Sequence, residues 1–120
     1  MSDFTTVCLV ADLAPRSAKR VAVDGQIIAL VNTDQGIFAV QDRCSHADVS
    51  LSEGEVEGCT IECWLHGSAF DLRNGLPLSL PAIEPIATYA IRIDGEGDAA
   101  VVQIDPTPNR VHSAGPPAYN

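Results

Sequence analysis

The sequence has three histidines and four cysteines, and two of each fall into two short stretches. The first is Cys44-Ser45-His46; the second, after a gap of sixteen residues, is Cys63-Trp64-Leu65-His66. Each stretch offers one thiolate and one imidazole. Brought side by side, they give two sulfur and two nitrogen donors, a set suited to a transition-metal centre. Zinc accepts such a set. Zinc fingers, however, usually join Cys to Cys and His to His at C-x₂₋₄-C and H-x₃₋₅-H spacing, and here each pair is mixed.

Two loops must carry these residues, because the surrounding chain is punctuated like a β domain. Breakers recur at short intervals: Asp24-Gly25, Asp34-Gln35-Gly36, Gly54, Gly58, Asn74-Gly75 and Asp94-Gly95-Glu96-Gly97. Apolar segments of about five to eight residues lie between them, which predicts many short strands joined by tight turns. Asp24-Gly25, set between Arg20–Val23 and Ile27–Val31, predicts a hairpin, since a type I′ turn needs positive φ. A second hairpin is expected at Asp34–Gly36, leading into Ile37–Val40. A late pair, Tyr89–Ile93 and Ala100–Ile104, is expected to close the domain, with Tyr89, Ile91 and Ile93 alternating as on a half-buried strand. Phe4–Val10 reads as the first strand. No segment has helical periodicity, and Pro15 breaks any turn begun in Ala11–Ala18. The class is all-β, a sandwich or small barrel. Asp42–Ser52 and Trp64–Ala69 break the strand rhythm, and the Cys–His pairs lie in or beside them, in loops where sites tend to be placed.

Order and spacing together resemble the cluster-binding motif of Rieske iron–sulfur proteins: Cys-x-His, a gap of fifteen to seventeen, then Cys-x-x-His. The likeness extends to His66-Gly67-Ser68, Phe70-Asp71-Leu72 and Asn74-Gly75, and to Gly36–Val40 ahead of Cys44, and spans roughly Val21 to Ile104. It implies an antiparallel β-sandwich with a small cluster-binding subdomain, and one [2Fe–2S] cluster per chain. Carried over, Cys44 and Cys63 hold one iron, and His46 and His66 hold the other. Each loop then gives a ligand to each iron, so that the cluster pins the two loops together. Imidazole ligation leaves the oxidised cluster neutral where four thiolates would leave it negative, and an electron enters more readily.

The resemblance to stand-alone Rieske ferredoxins of aromatic-ring dioxygenase systems implies an electron-transfer protein that is not itself an enzyme. A flavin-dependent ferredoxin reductase would reduce it, and it would pass single electrons to a terminal oxygenase through transient docking, as a monomer. Two other settings keep the cluster: iron–sulfur cluster assembly, and the small subunit of an assimilatory nitrite reductase. A length of 120 residues allows one domain and leaves no room for the mononuclear iron domain of an oxygenase. The expected domain is residues 1–105, followed by a mobile tail at 106–120 that is rich in proline.

Sixteen acids against seven bases give a net charge of −9. Phosphate binding needs clustered Lys and Arg, so nucleic acid is not an expected partner. The acidity serves either solubility or steering toward a basic partner. No secretory signal opens the chain, and no apolar stretch approaches the ~20 residues that cross a bilayer. A cytoplasmic location follows, where thiols stay reduced and four cysteines suggest metal or redox work more than disulfides. Cys8 and Cys59 are read as core, since free cysteine is often buried. Cys59 is placed in the same strand that leads to Cys63. His112 falls in the tail and is expected in solvent.

Neighbours of the four ligands tune the site. High-potential Rieske proteins of respiratory cytochrome bc complexes carry a disulfide between the two loops, and Val49 and Leu65 stand at those positions here. They also aim a serine and a tyrosine hydroxyl at the cluster; Ser68 keeps the first, and Phe70 replaces the second. The backbone N–H of Gly67 is a candidate donor to cluster sulfur. Leu80-Pro81-Ala82 resembles the family's proline-bearing third loop, with Pro81 covering the cluster's flank. Trp64 stands where the family often has proline, and either shields the cluster, serves as a docking surface or packs under the loop. Each lost hydroxyl donor disfavours the reduced cluster. Protein-film voltammetry is therefore expected to give a midpoint in the lower half of the Rieske range of roughly −150 to +300 mV, and a value near its top would contradict this reading.

Overall fold

The computed structural model describes residues 4–43, 49–65, 67–79 and 85–108. Ten strands follow in chain order: β1 (Thr5–Leu9), β2 (Ser17–Val23), β3 (Gln26–Thr33), β4 (Gly36–Gln41), β5 (Glu55–Glu57), β6 (Thr60–Glu62), β7 (Ala69–Asp71), β8 (Thr88–Tyr89), β9 (Ile91–Asp94) and β10 (Val101–Ile104). Every ladder between them is antiparallel. The strands make three sheets, in the orders β1-β10-β9, β2-β3-β4-β8 and β5-β6-β7. The helical content among the described residues is three single 3₁₀ turns. None of it is long and apolar enough to cross a membrane.

The predicted hairpins are present, for the predicted reason. Asp24 and Gly25 take φ of 51° and 83°, and Val23 pairs with Gln26 across them. At the next reversal, Thr33 Oγ1 accepts the Gln35 N–H at 3.0 Å and donates to the Gly36 carbonyl at 2.8 Å. The run Ile28–Val31 is apolar throughout because β3 is covered on both faces there. Ile28 and Leu30 join Leu13, Val23, Ala39, Tyr89, Val102 and Ile104 in one core, which unites the first two sheets as a sandwich. Ala29 and Val31 turn the other way, into a second core with Val40, Leu51, Ile61, Cys63, Phe70, Leu72 and Ile86. That second core joins the sandwich to the small sheet β5-β6-β7, which lies in the chain between β4 and β8. This is the expected β-sandwich with a subdomain.

Two expectations are corrected. Tyr89–Ile93 is not one strand. It divides at Ala90, whose carbonyl accepts the Asp105 N–H at 3.0 Å. Tyr89 stays on β4, while Ile91–Asp94 changes sheet to pair with β10. The alternation fails with it: Ile93 is exposed, toward the free end of an edge strand. Cys59 is not in a strand either. With Gly58 it forms the turn between β5 and β6, where Glu57 pairs with Thr60. It is nonetheless buried in the second core, as expected. Cys8 is half-buried against the first core. β10 ends at Ile104, and most of the expected tail, including His112, lies outside the described residues.

Gly54 owes its place to a close approach of two chain segments. A Cβ built there would collide with the Glu62 carbonyl oxygen and stand 3.3 Å from that of Leu51. A methyl group would force the Leu51–Glu53 turn away from β6, an overpacking that costs about 2–3 kcal/mol. Gly54→Ala is therefore expected to lower the thermal midpoint by roughly 10 °C or more, followed by circular dichroism.

Candidate metal centre

Among the four candidate ligands, Cys63 lies within the described residues; Cys44, His46 and His66 do not, nor does Pro81. What the structure supplies is the frame on which their loops are hung. Cys63 follows β6 directly and is fully buried. Its N–H donates to the Ser68 carbonyl at 2.7 Å, and its carbonyl accepts the Gly67 N–H at 2.9 Å. The main chain of the second loop is thereby closed at its base, and Gly67, at φ 78°, makes the reversal that returns to β7. Ser68 is fully buried directly after it, while Trp64 and Leu65 project outward, 52% and 42% exposed. Trp64 therefore does not pack beneath the loop.

The first loop leaves the end of β4. Gln41 pairs with Ala87 in both directions: its N–H donates to the Ala87 carbonyl at 2.9 Å, and its side-chain oxygen accepts the Ala87 N–H at 2.7 Å. Its side-chain amide also donates to the Arg43 carbonyl at 2.8 Å. The loop returns at Ser50, and Leu51 is wholly buried in the same core as Cys63.

Residues 80–84, the stretch of the expected third loop, are flanked by two ties. Ahead of them, the Leu78 N–H donates to the Ala69 carbonyl at 2.7 Å, and Ser79 Oγ accepts the Ala69 N–H at 3.0 Å. Behind them stands Ala87, held by Gln41. One flank is thus fastened beside the second loop and the other at the root of the first. Sequence reasoning missed Gln41 and Ser79. Their residue types carry no chemical signal, and their roles appear once strands distant in sequence are adjacent.

Cys63 fits the metal-ligand role. It is a soft sulfur donor kept from water at a tight loop, and the described cysteines are unbridged. Cys59 is buried in the second core. Burial pushes its thiol above the usual range, with the Arg73 guanidinium acting against that shift and Asp71 adding to it. Cys8 is pushed up likewise, first by burial and then by Asp12. Phe70 is fully buried on β7 and pairs with Ile61.

Asp71 governs the turn that sends the chain from β7 back toward Leu78 and Ser79. Its carboxylate accepts from the Arg73 N–H at 2.9 Å, Nε at 3.0 Å and Nη2 at 2.8 Å, and its carbonyl accepts the Gly75 N–H at 2.7 Å. The Arg73 hydrogen bonds hold the Asp71 carboxyl below its ordinary value of 3.8, against the opposing effect of burial.

Residues 3–90 match the Rieske [2Fe–2S] domain family. The chain is 43% identical over 93 residues to the biphenyl dioxygenase ferredoxin subunit of Pseudomonas sp. (strain KKS102), covering 77% of this chain and 85% of that protein. Its fold is similar to the ferredoxin of carbazole 1,9a-dioxygenase from Nocardioides aromaticivorans IC177, with a TM-score of 0.81 at 30% identity over 88% of this chain and all of that one. It is also similar to a chain in a complex of reduced oxygenase and oxidised ferredoxin in carbazole 1,9a-dioxygenase, with a TM-score of 0.77 at 28% identity over 91% of this chain and 98% of that one.

Because the Asp71 carboxyl is lowered in the fold, its contribution to stability is complete above the ordinary value and is lost as pH falls through the lower, native one. Thermal midpoints measured from neutral pH downward should show Asp71→Asn less stable than wild type at pH 7. The gap should close as the pH falls from about 4 toward 2, and a gap independent of pH would contradict the assignment.

Proposed function

The chain belongs to the Rieske [2Fe–2S] domain family, and on that premise we propose that it carries single electrons from a flavin-dependent ferredoxin reductase to the terminal oxygenase of an aromatic-ring-hydroxylating system. Cys44 and Cys63 hold one iron in this reading, and His46 and His66 the other. When bound, the Rieske-type cluster takes up and returns one electron. The chain's own part is to bring the two ligand loops together, keep the Cys63 sulfur out of water, and leave one edge open to partners. Trp64 and Leu65, exposed beside Cys63, give that edge an apolar contact, and aromatic side chains are frequent anchors at interfaces. A net charge of −9 suits encounter with basic surfaces.

The observation that carries this reading is the 43% identity to a dioxygenase ferredoxin subunit over 85% of that subunit's length, with both Cys–His pairs inside the matched residues 3–90. The likeness is to an electron carrier as a unit, beyond a domain shared with an oxygenase. We take the carrier to be a cytoplasmic monomer with a single Rieske domain over residues 1–105; that the two cores share β3 supports the single domain.

The purified protein is expected to be red-brown, with about two iron and two acid-labile sulfide per chain and a Rieske-type EPR signal after dithionite reduction. Cys63→Ser should abolish the signal while the β fold persists by circular dichroism. With a reductase and oxygenase pair of this class, turnover should depend on added protein. Wild-type material without iron and sulfide after anaerobic reconstitution would overturn the reading.

A further inference from the structure

Asp42 is a buried carboxylate two residues ahead of Cys44, and the ligand assignment gives it no part. Its side chain is fully shielded from solvent. Its own N–H donates to the Ile27 carbonyl at 3.0 Å, which carries the β4 pairing with β3 one residue past the strand's end. The carboxylate then reaches across to the far side of the loop. It accepts from Ser50 Oγ, from the Ser52 N–H at 2.6 Å and from Ser52 Oγ at 3.1 Å. Arg20 Nε stands 3.4 Å from the same carboxylate, on β2.

A carboxylate out of water is costly unless its lone pairs are filled, and one that accepts several hydrogen bonds is held firmly in place. Here the donors come from the residues on which the loop closes. Two oxygens let one side chain grip both Ser50 and Ser52, which an alanine cannot do. Between the two serines, Leu51 plunges into the core that contains Cys63. Just beyond them, Gly54 lies against the Glu62 carbonyl, at the end of the strand that delivers Cys63. A continuous path therefore runs from β3 through Asp42 to Ser50 and Ser52, on to Leu51 and Gly54, and so to Cys63.

We propose that Asp42 is the positioning residue of the first ligand loop: by clamping Ser50 and Ser52, it ties the loop's return to its departure from β4, and so sets the two ends from which Cys44 and His46 are offered to the cluster. This rests on the ligand assignment of the preceding subsection. Asp42 is not a ligand in this reading. Its effect is on the spacing of the two loops, and hence on how long a cluster is retained.

The test uses the full-length protein with Asp42→Ala, Asp42→Asn and the double substitution Ser50→Ala/Ser52→Ala. Val102→Ala, in the other core, serves as a control for global stability. Cluster loss to a chelator is followed by visible absorbance, and line shape by EPR. In Asp42→Ala and the serine double variant, loss is expected about tenfold faster than in wild type, with a broadened signal. Asp42→Asn keeps an acceptor for the Ser52 N–H and should fall between. Val102→Ala should lower the thermal midpoint without comparable loss. Wild-type retention and line shape in Asp42→Ala would overturn the proposal, as would a Val102→Ala variant that loses cluster as fast at an equal drop in thermal midpoint. If Asp42→Ala does not fold, Asp42→Asn and the double variant decide. Hydrogen exchange of the Ser52 amide in cluster-free protein reads the clamp separately. It should be about tenfold faster in Asp42→Ala, which removes the acceptor, and faster by a smaller factor in Asp42→Asn, while β3 amides stay protected; unchanged exchange in both would sink the clamp. Wild type that takes up no cluster counts against the ligand assignment alone, since this exchange measurement still stands.

Discussion

Strand β3 has no solvent face over its central residues, and the rest of the structure is arranged around that fact. Ile28 and Leu30 fill one core and Ala29 and Val31 the other, so a single strand seals the sandwich on one side and supports the small sheet on the other. Successive side chains point to opposite faces, so neither face can be altered without a neighbour on the other feeling the change through the shared backbone. One ligand loop leaves the sandwich strand β4 and the other the small-sheet strand β6, and the core between those sheets is continued from the sandwich's own strands.

The consequences for the site follow from this. A cluster held by two loops needs the loops at a constant separation, and loops alone are the least rigid part of a β domain. Here each is closed by hydrogen bonds at its root and anchored by an apolar residue in the second core. Cys63 is itself one of those core residues, and Leu51 anchors the other side. Gln41 and Ser79 fasten the flanks of residues 80–84, one to each ligand loop. The roots of the loops are tied down, and the side chains exposed beside Cys63, Trp64 and Leu65, are apolar. That combination suits a carrier, which must change charge with little rearrangement and release its partner after transfer.

Charge is distributed unevenly between these tasks. The buried carboxylates, Asp42 and Asp71, are occupied by hydrogen bonds that close turns and loops. Glu55, Glu57 and Glu62, by contrast, are exposed on the small sheet, with Glu55 paired directly opposite Glu62. Like charges facing each other across a ladder weaken it slightly. The acidity of this part of the molecule therefore does nothing for the fold and is in keeping with solubility or steering.

The ligand pattern, the strand rhythm and the Asp24-Gly25 hairpin were legible in the residues alone. Each depends on chemistry or conformational preference local to a few positions: thiol and imidazole type, period-two apolarity, positive φ. The family followed from the spacing of four side chains. Other features depended on what lies across space. Tyr89–Ile93 has an alternating pattern that one strand would explain, yet it changes sheet at Ala90, because two edges compete for it and the sequence shows neither. Cys59 reads as strand and is a turn, because its burial comes from the second core into which that turn packs. Gly54 reads as a breaker, yet it is needed for the approach of the Glu62 carbonyl. Asp42, Gln41 and Ser79 carry no motif at all, since a hydrogen bond between residues ten or more apart exists only once the chain has brought them together. Residue types thus determined which atoms could hold the cluster, and tertiary packing decided what holds those residues in place.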